Sequence, residues 1–106
     1  MSELRHPSLR DVEPQLTSDM ERLLGEVGEA NLAAQVKHLA IVERSDDKHG
    51  TDFYTAPRPQ GRWGPGHRTL SLRPGSLHVD VVGGQIVCVE VLRSPRRATL
   101  SPCSQP

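Results

Sequence analysis

The sequence predicts an α+β domain: one or two N-terminal helices packed on an antiparallel β-meander of about five strands. Three observations predict it. Apolar residues recur at helical spacing only before residue 39. After it, short runs rich in β-branched residues alternate with turn residues. No helical crossover separates any two of those runs, so neighbouring strands have to pair antiparallel.

The helical part opens at Ser18-Asp19-Met20-Glu21, where Ser18 and Glu21 have the spacing of a capping box. Met20, Leu23, Leu24 and Val27 then fall on one face, and Gly28 is a stop signal because glycine takes the left-handed conformation cheaply. A second helical stretch is predicted over about 29–38. Leu32, Val36 and Leu39 share its face, with Ala30, Ala33 and Ala34 beside them. Residues 1–16 are polar and carry Pro7 and Pro14, so they read as a mobile leader with a small apolar patch at Leu9, Val12 and Leu16. The single domain then covers 17–93, and the proline-rich 94–106 reads as a disordered tail.

The first strand is placed at Leu39–Arg44, followed by a polar turn, Ser45 to Gly50. The second is Thr51–Thr55. The eleven residues APRPQGRWGPG (56–66) hold three prolines and three glycines, which leaves a long loop. His67–Leu72 is the third strand, and Arg73-Pro74-Gly75-Ser76 has tight-turn chemistry. Leu77–Val81 and Gln85–Leu92 flank Gly83-Gly84 as a β-hairpin. A three-residue loop, Val82-Gly83-Gly84, would pair Val79 with Val87 and His78 with Cys88. It gathers Leu77, Val79, Val81, Val87, Val89 and Val91 on one face and leaves His78, Asp80, Ile86, Cys88 and Glu90 on the other. A one-residue slip inverts every side chain, so burial favours this register over a two-residue loop.

With 106 residues the chain makes one domain. Its aromatic content is 3%, so the core has to be aliphatic. Thirteen basic and thirteen acidic side chains cancel, which excludes a globally basic nucleic-acid binder. Two distant cysteines exclude a disulfide scaffold and a cysteine-only zinc site. No apolar run spans a membrane, and the first residues lack the apolar region of a secretory signal. The charge is nonetheless uneven: residues 53–106 hold two acids against seven arginines.

Tyr54, Arg58, Arg62, Trp63, His67 and Arg68 are the candidate partner-binding residues, because a tryptophan set among glycines, prolines and arginines can anchor an interface. The bland alternative is a Trp63 that folds back as a lid on the core. The same arginines with Tyr54 and Trp63 suggest single-stranded nucleic acid, against the simpler reading that they pair with the protein's own acidic helices. His49 with Asp46 and Asp47, His67, and the pair His78 and Cys88 are possible metal ligands, but no zinc spacing joins them, so no metal, cofactor or catalytic residue is assigned.

The stretch DFYTAPRP…GPGHR with the closing LHVDVVGGQIVCVEVL resembles a family of short, uncharacterised bacterial proteins. The matching hairpin residues are Asp80, Gly84, Ile86, Val87, Val89, Glu90, Val91 and Leu92. Some members of that family carry cysteines in the turn before the F-Y-T strand, where this chain has Ser45, Asp46, Asp47, Lys48 and His49. The resemblance implies a bacterial, cytoplasmic protein, which the excess of arginine over lysine fits, and it implies no activity. The expectation is therefore a non-catalytic protein-interaction domain working through loop 56–68, with an unknown protein partner or a second copy of itself. Nucleic-acid binding and a small metal protein or enzyme using His67, His78 and Cys88 are the alternatives.

Overall fold

A computed structural model describes residues 6–93. The leader's first residues and the tail expected over 94–106 lie outside the described residues.

Helix α1 (Leu9–Val12) and helix α2 (Pro14–Glu26) lie inside the segment read as leader and extend beyond it. Leu9 is fully buried, which pins this stretch to the core. Helix α2 starts at Pro14, four residues ahead of the capping box, because proline is already shaped for the first helical position. It buries Met20 and Leu24, as the spacing predicts. Val27 lies past the helix end and is exposed. The stop is a Schellman turn. Gly28 has φ 82°, its N–H donates to Gly25 O, and the Glu29 N–H donates to Leu24 O. Helix α3 (Ala30–Gln35) continues into a 3₁₀ turn (Val36–His38), and together they bury Leu32, Val36 and Leu39.

Five strands follow: β1 (Glu43–Asp47), β2 (Gly50–Tyr54), β3 (His67–Arg73), β4 (Leu77–Val82) and β5 (Gln85–Leu92). They form one antiparallel sheet in the order β1-β2-β5-β4-β3. The α+β class, the helices before the strands and the antiparallel pairing are as the sequence predicts. The sheet departs from a sequential meander at one place: β2 pairs with β5 and not with β3. Twelve residues join β2 to β3, too many for a tight hairpin, so the chain crosses two strands before it pairs again.

The first strand also moves. Leu39 and Ile41 are buried, but their backbone pairs with the N-terminal segment: Leu9 N–H donates to Leu39 O and Ile41 N–H to Pro7 O. The strand proper is the polar Glu43–Asp47, at the sheet edge, where charge discourages pairing with another chain. The turn before β2 shrinks to Lys48-His49. The Asp47 side chain accepts hydrogen bonds from the His49 and Gly50 N–H groups at 2.8 and 3.1 Å.

The β4–β5 hairpin opens in the two-residue register and then shifts by a bulge, so the favoured pairs Val79–Val87 and His78–Cys88 do not form. Gly83 and Gly84 both have positive φ, 58° and 81°, so the loop is a two-residue turn with Val82 opposite Gln85 and Val81 opposite Ile86. A bulge follows, and beyond it Val79 faces Val89 and Leu77 faces Val91. The bulge lets the Gly-Gly turn and the burial of the valines coexist. Ile86 thereby joins the core in place of Val87. His78 is set opposite Glu90, and Asp80, not His78, opposite Cys88.

The helices cover one sheet face, where Phe53, Leu77, Val79, Val81, Ile86 and Val89 complete the core. Gln35 ties the helical layer to the hairpin: its amide donates to Gly84 O at 2.8 Å and accepts from the Ile86 N–H at 2.9 Å. Gln35→Ala leaves the Ile86 amide without its partner and lowers stability by about 1 kcal/mol, read as a shift in the urea midpoint at constant slope.

Candidate functional site

Strand alternation places a second set of residues on the sheet face opposite the helices. Registers between neighbouring strands line them up in two rows. One runs Glu43–Tyr54–Cys88–Asp80–Thr69, the other Ser45–Asp52–Glu90–His78–Ser71. The middle of this outer face is chemically unusual. Asp80 and Cys88 are only 4% and 2% exposed, on a face that none of the helices packs against. Polar groups buried this deeply require partners. Asp80 Oδ1 accepts from Thr69 Oγ1 at 2.7 Å, and His67 Nε2 lies 2.9 Å from the same oxygen. Cys88 has no hydrogen-bond partner among the described residues.

The electrostatics follow from this burial. Burial, with the negative charge and hydrogen bond of Asp80 and the nearby charge of Asp52, pushes Glu90 up to about 8. Burial alone would also raise Asp80. Hydrogen bonds from Glu90, Thr69 and His67 outweigh it and hold that carboxyl below its ordinary value. The two carboxyls therefore keep one proton between them near neutral pH. Burial raises Asp52, and burial with the surrounding carboxylates pushes the Cys88 thiol far up, so it is a protonated thiol and not a poised nucleophile.

The loop between β2 and β3 closes over this row. The Trp63 ring lies 6.3 Å from the Tyr54 ring and 6.5 Å from the His67 ring, between centroids. Tyr54 belongs to β2 and His67 to β3, with β5 and β4 between them, so Trp63 bridges the outer face. It is half-buried, and it lids the polar face and not the aliphatic core. The Arg58 guanidinium stands 5.0 Å from the centre of the Tyr54 ring and pairs with Glu43 at 3.2 Å.

Of the residues singled out from sequence, the structure brings Arg58, Tyr54, Trp63 and His67 into one chain of contacts. Arg62 is exposed on the same loop. Arg68 does not join them: alternation turns it to the helical side, where it forms a double hydrogen bond with Glu29 at 3.1 and 3.2 Å. Arg73 likewise reaches Asp19 at 2.9 Å. The arginines of the second half thus pair largely with acidic residues of the first. The sequence places Asp80 and Glu90 with His78 on a face that is either solvated or docks a partner, and it does not add Asp52 to them. Their only signal was shared parity on neighbouring strands, and which residues stand opposite each other depends on the β5 bulge. Comparison with protein-family models, with curated proteins and with solved structures finds no match. Among the described residues no helix is long and apolar enough to cross a membrane.

Proposed function

We propose that this protein is a non-catalytic protein-interaction domain that receives a basic segment of a different chain on its outer sheet face. The observation that carries the reading is the half-buried Trp63, held between Tyr54 and His67 over a face whose carboxylates come from four strands. Aromatic faces stack on guanidinium groups, and carboxylates beside them pair with the same cation. Glu43, Asp52 and the one negative charge that Asp80 and Glu90 share supply the negative potential there, while Arg58 is engaged by Glu43. A second copy of this chain would set those carboxylates against their own kind, and both sheet edges carry charged side chains, so a different chain fits better than a homodimer. Phosphates would meet the same carboxylates, which favours a basic protein segment over single-stranded nucleic acid.

Trp63 is the only tryptophan and therefore reports its own occupancy by fluorescence. An arginine-rich peptide is expected to change its emission, with affinity that falls as salt rises. Asp52→Asn weakens that binding several-fold, and Trp63→Ala weakens capture on the immobilised peptide while the melting temperature stays nearly unchanged. No response to the arginine peptide, together with one to an oligothymidylate, would overturn the reading in favour of nucleic acid. A large melting shift in Trp63→Ala would make the ring a structural lid.

A further inference from the structure

On the outer face, three side chains with ligand atoms converge from two adjacent strands: Asp80 of β4, and Cys88 and Glu90 of β5. The ligand atoms of Asp80, Cys88 and Glu90 all lie within 4.8 Å of one another. Cys88 and Glu90 are two apart on one strand and so point to the same face, and Asp80 faces Cys88 directly across the ladder. His67 Nε2 lies 2.9 Å from Asp80 Oδ1, outside this mutually close set of three. Tetrahedral bonds of about 2.0–2.3 Å leave neighbouring ligand atoms roughly 3.3–3.7 Å apart, so small side-chain rotations close the set.

We propose that Asp80, Cys88 and Glu90 form a binding site for one zinc-like divalent transition-metal ion, with His67 orienting Asp80 from outside the ligand set. A second observation points the same way. The Cys88 sulfur is almost fully buried, lacks a hydrogen-bond partner among the described residues, and lies beside two carboxyl groups whose charge a bound cation would neutralise. One thiolate and two carboxylates match a borderline-soft ion and suit magnesium or calcium poorly, because those ions prefer all-oxygen sites. On binding, the ion replaces the Cys88 proton and the proton that Asp80 and Glu90 hold between them, and both protons leave to solvent. Thr69, which donates to Asp80, becomes the outer support that orients this ligand. The ion enters from the side of Glu90 and His67, since Asp80 and Cys88 are closed off. The site shares Asp80 and Glu90 with the face proposed to receive a basic segment, and the metal test reads cobalt alone, so the two readings fail separately.

The test uses the full chain with Cys103→Ser, which leaves Cys88 as the only thiol. Cobalt chloride is added to the chelator-treated protein and the near-ultraviolet absorption is followed. The expected result is a thiolate-to-cobalt charge-transfer band that saturates at one equivalent and is bleached by zinc chloride. His67→Ala keeps the band but weakens binding roughly tenfold or more. Absence of the band at saturating cobalt overturns the proposal. Zinc retained in dialysis without the band also overturns it, because the ion would then sit on other histidines or carboxylates. The band depends on no variant in the sheet, so a folding defect in His67→Ala does not obscure the outcome.

Discussion

Gly50→Ala is expected to lower the stability of the domain by about 3 kcal/mol, at the upper end of what overpacking costs. Gly50 opens β2, and its φ is not in the left-handed region, so the cause is space and not backbone conformation. A Cβ at this position would lie 2.1 Å from Val91 O and 2.9 Å from Leu92 Cα. Both are backbone atoms of β5 and neither can rotate away. The only relief is to part β2 from β5, and that pairing joins the β1–β2 hairpin to the rest of the sheet. Gly50 is also fixed from the other side, since its N–H donates to Asp47 Oδ1. Gly25→Ala is the control. A Cβ at Gly25, inside α2, meets nothing within 4 Å, and alanine is the better helix former, so this variant should gain roughly 0.5–1 kcal/mol. Urea unfolding of both variants checks the pair. Equal midpoints would mean that β2 does not seat against β5 as described.

The second large effect is a fall in stability as pH rises through neutrality, which Glu90→Gln removes. Glu90 loses its proton near the ordinary value of 4.5 in the unfolded chain and at about 8 in the folded one. Between those values the unfolded chain binds fewer protons, so the folded state loses ground as pH increases. Glu90 is partly exposed, and solvent screening reduces the effect to on the order of 2 kcal/mol between pH 5 and pH 8. Glutamine has the same shape, can still donate to Asp80 and carries no charge to bury. The curve of Glu90→Gln should therefore be nearly flat over this range and cross above the parent near pH 7. On the acid side the sign reverses. Hydrogen bonds from Arg73 to Asp19, from Arg68 to Glu29, from Thr51 to Asp46 and from the backbone to Asp47 hold these carboxyls below their ordinary values. Their contribution is present above the ordinary carboxylate range and lost as pH falls through it. Melting temperatures recorded with chelator present from pH 4 to pH 9 test both limbs. A parent curve that rises from pH 5 to pH 8 would refute the carboxyl pair.

Local chemistry makes much of the fold legible. The stripe Met20–Leu24 and the face Leu32–Val36–Leu39 are buried because helical spacing turns them to one side, whatever covers them. Gly28, Gly75, Gly83 and Gly84 adopt positive φ where the turn chemistry requires it, and Ser76 N–H closes the Pro74-Gly75 turn onto Arg73 O at 2.9 Å. The site was half legible. Alternation puts Asp80, Cys88 and Glu90 on one face, and Tyr54, Arg58, Trp63 and His67 stand out as unusual residues near one loop. That Trp63 comes to rest between Tyr54 of β2 and His67 of β3 was not legible, because the partner of β2 lies more than thirty residues away.

The sequence by itself determined the class, four of the five strand-forming runs, the turns at Pro74-Gly75 and Gly83-Gly84, and the shared face of Asp80, Cys88 and Glu90, since these depend on backbone preference and on spacing within a few residues. Only the tertiary structure decided the strand order, the departure of Arg68 to the helical side and the choice of Ile86 over Val87 for the core. The physical reason lies in competition between distant segments. Leu9 and Ile41 fill space beside the helices, β2 claims the edge of β5, and a bulge reconciles a two-glycine turn with the burial of the valines, so each outcome follows from the balance of the whole packed domain.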